Sequence, residues 1–113
     1  MNFDFDTAVL QRSNTIPVLV EFSAPGCGPC KWMEKTLVDI VRSYKDRFEF
    51  VSLPVQDCAD FIDNYKIISN STTILFINGY EKARLKGAFP KIVIEQWLDD
   101  HLVKDKASPL NKS

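Results

Sequence analysis

The run Ile16-Pro17-Val18-Leu19-Val20-Glu21-Phe22 is apolar and rich in β-branched residues, and just beyond it the hydrophobic period changes. From Cys30 onward, Met33, Leu37, Ile40, Val41 and Tyr44 recur at helical spacing, with Lys31, Glu34, Lys35, Asp39 and Arg42 between them. A near-continuous apolar strand of this kind belongs in a sheet covered on both faces. Phe48-Glu49-Phe50-Val51-Ser52-Leu53 follows as a second strand, and strand, helix, strand in that order implies a right-handed crossover with the two strands parallel. The predicted class is therefore α/β. The strand-to-helix junction carries Pro25-Gly26-Cys27-Gly28-Pro29-Cys30-Lys31, two thiols separated by two residues.

That position has chemical consequences. The first backbone N–H groups of a helix have no intrahelical partner, and they point at the residue before the first turn, here Cys27. A thiolate at Cys27 is favoured by those donors and by the positive end of the helix dipole, so its pKa is expected to fall toward neutrality. Cys30, one turn on, is covered by the helix and can attack a disulfide formed at Cys27. Gly28 and Pro29 suit a first turn, where proline presets φ and needs no N–H bond. A C-x-x-C pair can be a redox couple, half of a zinc site or an accident. Zinc takes about four ligands, and the other candidates are Cys58 and the lone His101, with no second C-x-x-C. The redox reading is favoured, with no metal or cofactor expected.

At 113 residues the chain makes one domain, expected over residues 1–103 with a polar, disordered tail at 104–113. A net charge of −1, with both signs interspersed, argues against nucleic-acid and anionic-membrane partners, which favour a basic patch. The start, Met1-Asn2-Phe3-Asp4-Phe5-Asp6, is acidic and unlike a secretory signal, and no run has the length of a membrane span. An odd number of cysteines, three, fits a reducing compartment, so a cytoplasmic location is expected.

Along the chain, residues 6–11 read as a short helix with Phe5, Val9 and Leu10 inward, and 12–15 as a loop. Asp57 can cap a helix carrying Cys58, Phe61, Ile62 and Tyr65 on one face, which makes Cys58 a core thiol and Asp57, Asp60 and Asp63 helix-start and solvated residues. Thr72-Thr73-Ile74-Leu75-Phe76-Ile77, Asn78-Gly79 and the arm from Tyr80 to Lys86 form a hairpin, since Asn-Gly favours a tight turn with positive φ. In that arm Glu81, Ala83 and Leu85 alternate with Lys82, Arg84 and Lys86, a basic face suited to protecting an edge. Gly87 breaks the strand and Pro90 opens a last helix with Ile94, Trp97, Leu98 and Leu102 as its stripe and His101 near its end.

Together these residues resemble the thioredoxin family over roughly Phe3 to Val103. Cys27-Gly28-Pro29-Cys30-Lys31 matches the family's active-site loop, and Val18-Leu19-Val20-Glu21-Phe22 the strand before it, with Glu21 where a buried aspartate is usual. Phe5 to Leu10 resembles the first helix, Phe76-Ile77-Asn78-Gly79 the late hairpin and Lys86-Gly87-Ala88 the glycine loop before the last helix. The resemblance implies a three-layer fold with a mixed sheet of about four strands in the order 48–53, 17–22, 72–77, 80–86, the last antiparallel, and helices on both faces. It also shows departures. Gly26 stands where an aromatic residue usually precedes the first cysteine, Ser23 replaces a tryptophan, Ser71 the cis proline opposite the cysteines and Ser52 the lysine beside the buried acid. The family's opening strand has no counterpart.

The function implied is thiol–disulfide exchange that reduces disulfide-containing protein substrates, with Cys27 as nucleophile, Cys30 as resolving thiol and Glu21, its pKa raised by burial, as proton acceptor. Gly26, Gly28, Pro29, Asn70, Ser71 and Gly87 are the implied substrate-binding rim. Electrons would come from a separate reductase, because no Gly-rich dinucleotide fingerprint is present. A monomer or weak homodimer is expected. The alternatives are an iron–sulfur or zinc dimer through the same cysteines, or a non-catalytic partner-binding module on this fold.

Overall fold

A computed structural model of the chain describes residues 4–24, 26–45, 47–54, 63 and 71–106, with side chains as far as residue 102. A π-helical turn at Asp6–Gln11 continues as a 3-10 turn at Arg12–Asn14, followed by β1 (Val18–Ser23), α1 (Gly28–Tyr44), β2 (Glu49–Pro54), β3 (Thr72–Ile77), β4 (Tyr80–Lys86) and α2 (Lys91–Lys106). The helix expected to carry Asp57, Cys58, Phe61, Ile62 and Tyr65 lies outside the described residues, while Asp63 is exposed. The last helix continues through Lys106, so residues 104–106, expected in the tail, are helical.

The strands form one sheet in the order β2-β1-β3-β4. β1 and β2 are parallel, Val18 opposite Glu49 and Ser23 opposite Pro54, as the α1 crossover requires. β3 runs antiparallel to β1, with Glu21 opposite Thr73, and β4 runs antiparallel to β3. The order agrees with expectation, but the directions need a correction. β3 is the reversed strand, and β4, turned back again, runs parallel to β1. A strand's own burial pattern reads the same in either direction, so direction is left to tertiary contacts.

Alternation along the strands divides the core in two. Leu19, Leu75 and Ile77 face Met33, Leu37 and Ile40 of α1 and Ile94, Leu98 and Leu102 of α2. Val18, Val20, Phe22, Ile74 and Phe76 face Val9 and Phe5 of the N-terminal turn. Phe5 lies against the Phe76 ring at 5.5 Å between centroids and against Phe22 at 6.5 Å.

The Asn78-Gly79 turn has φ of 55° and 86°, as the dipeptide predicts. It is tied to the residues expected only as a loop. The Asn78 amide donates to the Ser13 carbonyl at 2.8 Å, the Gly79 amide donates to Ser13 Oγ at 2.8 Å, and that hydroxyl donates to the Leu10 carbonyl at 2.7 Å. A bulge then breaks the alternation predicted for β4. Leu75 faces Ala83 but Phe76 faces Glu81, so Lys82 is passed over and Glu81 comes to the side of Arg84. Arg84 donates to both carboxylate oxygens of Glu81, at 2.6 and 2.7 Å.

Candidate active site

Val18 to Phe22 are fully buried, which fixes the carboxyl end of β1 and so the start of the following loop. Gly26 then takes φ +74°, a left-handed conformation that glycine adopts without penalty. The Cys27 amide donates to the Ala24 carbonyl at 3.2 Å, which closes the turn. Cys27 is the N-cap of α1 with extended φ and ψ of −84° and 104°, and its Sγ accepts a hydrogen bond from the Cys30 amide at 3.0 Å. The two sulfurs are bonded to one another, with the Cα atoms 5.2 Å apart. Cys27 is 6% exposed and Cys30 2%, so the pair is recessed with Cys27 outermost, between the exposed Gly26, Gly28 and Pro29.

Glu21 shares its strand face with Leu19, which packs on α1, and it is completely buried. This excludes a strand-end carboxylate in water. Its Oε1 accepts a long hydrogen bond from Ser52 Oγ at 3.4 Å. Burial, followed by the negative charge of Glu34, pushes its pKa up to about 7, and the Ser52 bond opposes the shift. Glu34 is one turn beyond Cys30 on α1, so i and i+4 neighbours on one helix face bring Cys30 over the same end of β1.

The Thioredoxin family model matches residues 1–100. The chain belongs to the thioredoxin family. It is 37% identical to a thioredoxin of Griffithsia pacifica over 76% of this chain and 79% of that one. It is 35% identical to thioredoxin 1 of Synechococcus elongatus, over 87% of this chain and 90% of the relative. The M-type chloroplastic thioredoxin of Chlamydomonas reinhardtii is 35% identical over 87% of this chain and 69% of its own length. With Cys27 and Cys30 joined as a disulfide, the protein is a thiol–disulfide oxidoreductase acting as a protein-disulfide reductase. Among the described residues no group of three or more His, Cys, Asp or Glu is placed to hold a metal ion, and no helix is long and apolar enough to cross a membrane.

The thioredoxin-family departures fall around the disulfide. Ser71 is buried, and its carbonyl accepts from the Gly87 amide at 2.7 Å, which joins two of the expected rim residues. The pairing of Phe22 with Thr72 sets them at the carboxyl end of β1, the end that feeds the cysteine loop. Asn70, also expected on the rim, lies outside the described residues, as does the geometry of its bond to Ser71. Two further residues escaped the sequence reading. Thr73 sits fully buried opposite Glu21, and a threonine in an apolar run carries no signal because it is an ordinary strand former. Trp32 is 49% exposed on the second turn of α1, and the visible cue was an aromatic residue off the apolar stripe.

Proposed function

We propose that Cys27 is the nucleophile of this protein-disulfide reductase and Cys30 its resolving thiol. In the reduced enzyme the Cys27 thiolate attacks one sulfur of a substrate disulfide. That S–S bond breaks, the distal sulfur leaves as a thiolate, and a mixed disulfide joins Cys27 to the substrate. Cys30, having lost its proton to Glu21, attacks Cys27 Sγ, and the second substrate sulfur leaves as the Cys27–Cys30 bond forms. Two electrons have passed to the substrate. A separate reductase returns them, since the chain has no nucleotide-binding fingerprint.

The observation that carries this assignment is the N-cap position of Cys27, whose sulfur accepts the Cys30 amide at 3.0 Å. A donor fixed at that distance holds negative charge on the sulfur without reorganisation. A four-thiolate centre shared by two chains uses the same two sulfurs, which here are bonded to each other. The rim of Gly26, Gly28, Pro29, Asn70, Ser71 and Gly87 receives an extended segment of a protein substrate. We place the protein in the cytoplasm, where a reducing pool keeps its dithiol available, as a monomer or weak homodimer. The test is reduction of insulin disulfides with dithiothreitol as electron source. Cys27→Ser should abolish the activity, and Cys30→Ser should trap a mixed disulfide at Cys27. A Cys27→Ser variant as active as wild type refutes the assignment.

A further inference from the structure

Trp32 is 49% exposed, whereas the other tryptophan, Trp97, packs against the core. An aromatic ring gains much from burial, and tryptophan gives an exposed helix position no local advantage over lysine or glutamate. Its place on α1 gives it a use. Gly28, Trp32, Lys35 and Asp39 fall at i, i+4, i+7 and i+11, on the face of α1 opposite Met33, Leu37 and Ile40, and all four are exposed. Long side chains on a helix lean back toward its N-terminus, over the residues three and four before them. For Trp32 these are Pro29 and Gly28, both exposed, and nothing lies within 4 Å of where a Cβ on Gly28 would stand. The indole therefore comes back along an open first turn toward Cys27. Gly26, where an aromatic residue usually precedes the first cysteine, also leaves its surroundings open, with nothing within 4 Å of a Cβ. The aromatic contact beside the cysteines is left to Trp32.

The charge nearest to it on this face is positive. Lys31 and Lys35 are exposed one turn apart, a like-charge i, i+4 pair that weakens a helix. Among the described residues no carboxylate pairs with either: Asp39 is held by Lys91 at 2.8 Å, and Glu34, i+4 from the buried Cys30, acts on Glu21. We propose that Trp32, Lys31 and Lys35 form the surface by which this reductase selects protein substrates, with an aromatic or large apolar residue of the substrate on the indole and acidic side chains on the two ammonium groups. Charge complementarity fixes the sign of the segment, since a basic one meets like charge and is rejected. The inference rests on Cys27 as the attacking sulfur, and the new element is the kind of sequence that flanks the substrate disulfide. From Cys27 to Trp32 the helix rises about 7.5 Å, and an extended chain advances about 3.3 Å per residue. The docking aromatic therefore lies about two or three residues from the reacting cysteine of the substrate. There its ring can meet the indole edge-to-face or offset-stacked.

The experiment uses synthetic peptides, each dimerised by a disulfide through its single cysteine, with dithiothreitol as electron source. The test peptide carries a phenylalanine about three residues from the cysteine and glutamates beyond it. One control replaces the phenylalanine by alanine, and the other replaces the glutamates by lysines. Wild type should reduce the test peptide with kcat/KM about tenfold above the alanine control, the difference lying in KM. At low salt it should also exceed the lysine control by about tenfold, an advantage that shrinks in high salt. In Trp32→Ala the preference for phenylalanine over alanine should disappear, and in Trp32→Phe it should return. In the double variant Lys31→Glu, Lys35→Glu the preference for glutamate over lysine should reverse. A serine version of the test peptide, which has no disulfide, should shift the indole N–H resonance of Trp32 in the oxidised full chain, the signal being assigned by its loss in Trp32→Ala. A phenylalanine preference that persists in Trp32→Ala, a glutamate preference that persists in the double variant, or an indole resonance unmoved by the serine peptide overturns the proposal. If wild type reduces neither these peptides nor hydroxyethyl disulfide, the reductase assignment falls, while the indole resonance still decides whether the surface binds the segment.

Discussion

Glu21 is fully buried and titrates at about 7 instead of 4.5, so the oxidised protein should lose stability as pH rises, and Glu21→Gln should remove that loss. In the unfolded chain the carboxyl ionises near 4.5, whereas in the fold it holds its proton to about 7. Between those values the native state binds more protons than the unfolded one. The stabilisation is therefore fully present below about pH 4.5 and gone above pH 7. The difference of 2.5 pH units, from 4.5 to 7, is worth about 3 kcal/mol at ~1.36 kcal/mol per unit. Glutamine keeps the shape without the charge, and any cost of burying its amide is the same at every pH, so it cancels when two pH values are compared. Guanidinium unfolding of the oxidised wild type and variant at pH 4 and pH 8.5 gives the comparison. The variant should gain about 3 kcal/mol relative to wild type on going to pH 8.5, a rise of roughly 10 °C in relative Tm. A difference between the proteins that does not change with pH would show that Glu21 is ionised in the fold at neutral pH, and the burial reasoning would fail.

Cys27 is the helix N-cap and the outer sulfur of the pair, so limiting iodoacetamide near neutral pH should alkylate it before Cys30 in the reduced protein; peptide mapping that finds Cys30 labelled first sinks the mechanism. Gly26→Trp places a Cβ where φ is +74°, at a cost of about 1–2 kcal/mol in thermal unfolding, and a melting temperature equal to wild type would show that the loop does not depend on this conformation. Phe5→Ala removes the ring packed on Phe22 and Phe76 and should cost about 3 kcal/mol in chemical denaturation while leaving Cys27 alkylation unchanged. Reduction of insulin by Phe5→Ala should accordingly persist below its melting temperature; loss of activity in the folded variant would tie the N-terminal turn to the site.

Much of this protein is local in origin and was legible in the chain. The change of period at the C-G-P-C junction set β1, α1 and the N-cap sulfur, because strand and helix periodicity, capping and the first-turn proline are each decided by neighbours a few residues apart. Asn78-Gly79 likewise dictated its own turn, since positive φ at two successive positions is a property of those residues. Other features depend on residues far apart in sequence. The direction of β3, the bulge that passes over Lys82 to join Glu81 to Arg84, and the tie from Ser13 to the hairpin are set by pairing between distant segments. Thr73 is the sharpest case. As a residue it is one more strand former in an apolar run, and only the antiparallel register sets it opposite Glu21 on the side facing α1. Burial works the same way on Glu21. The sequence located a carboxylate before the cysteines, but a pKa near 7 arises only when the sheet and α1 close over it and exclude the water that would otherwise stabilise its charge.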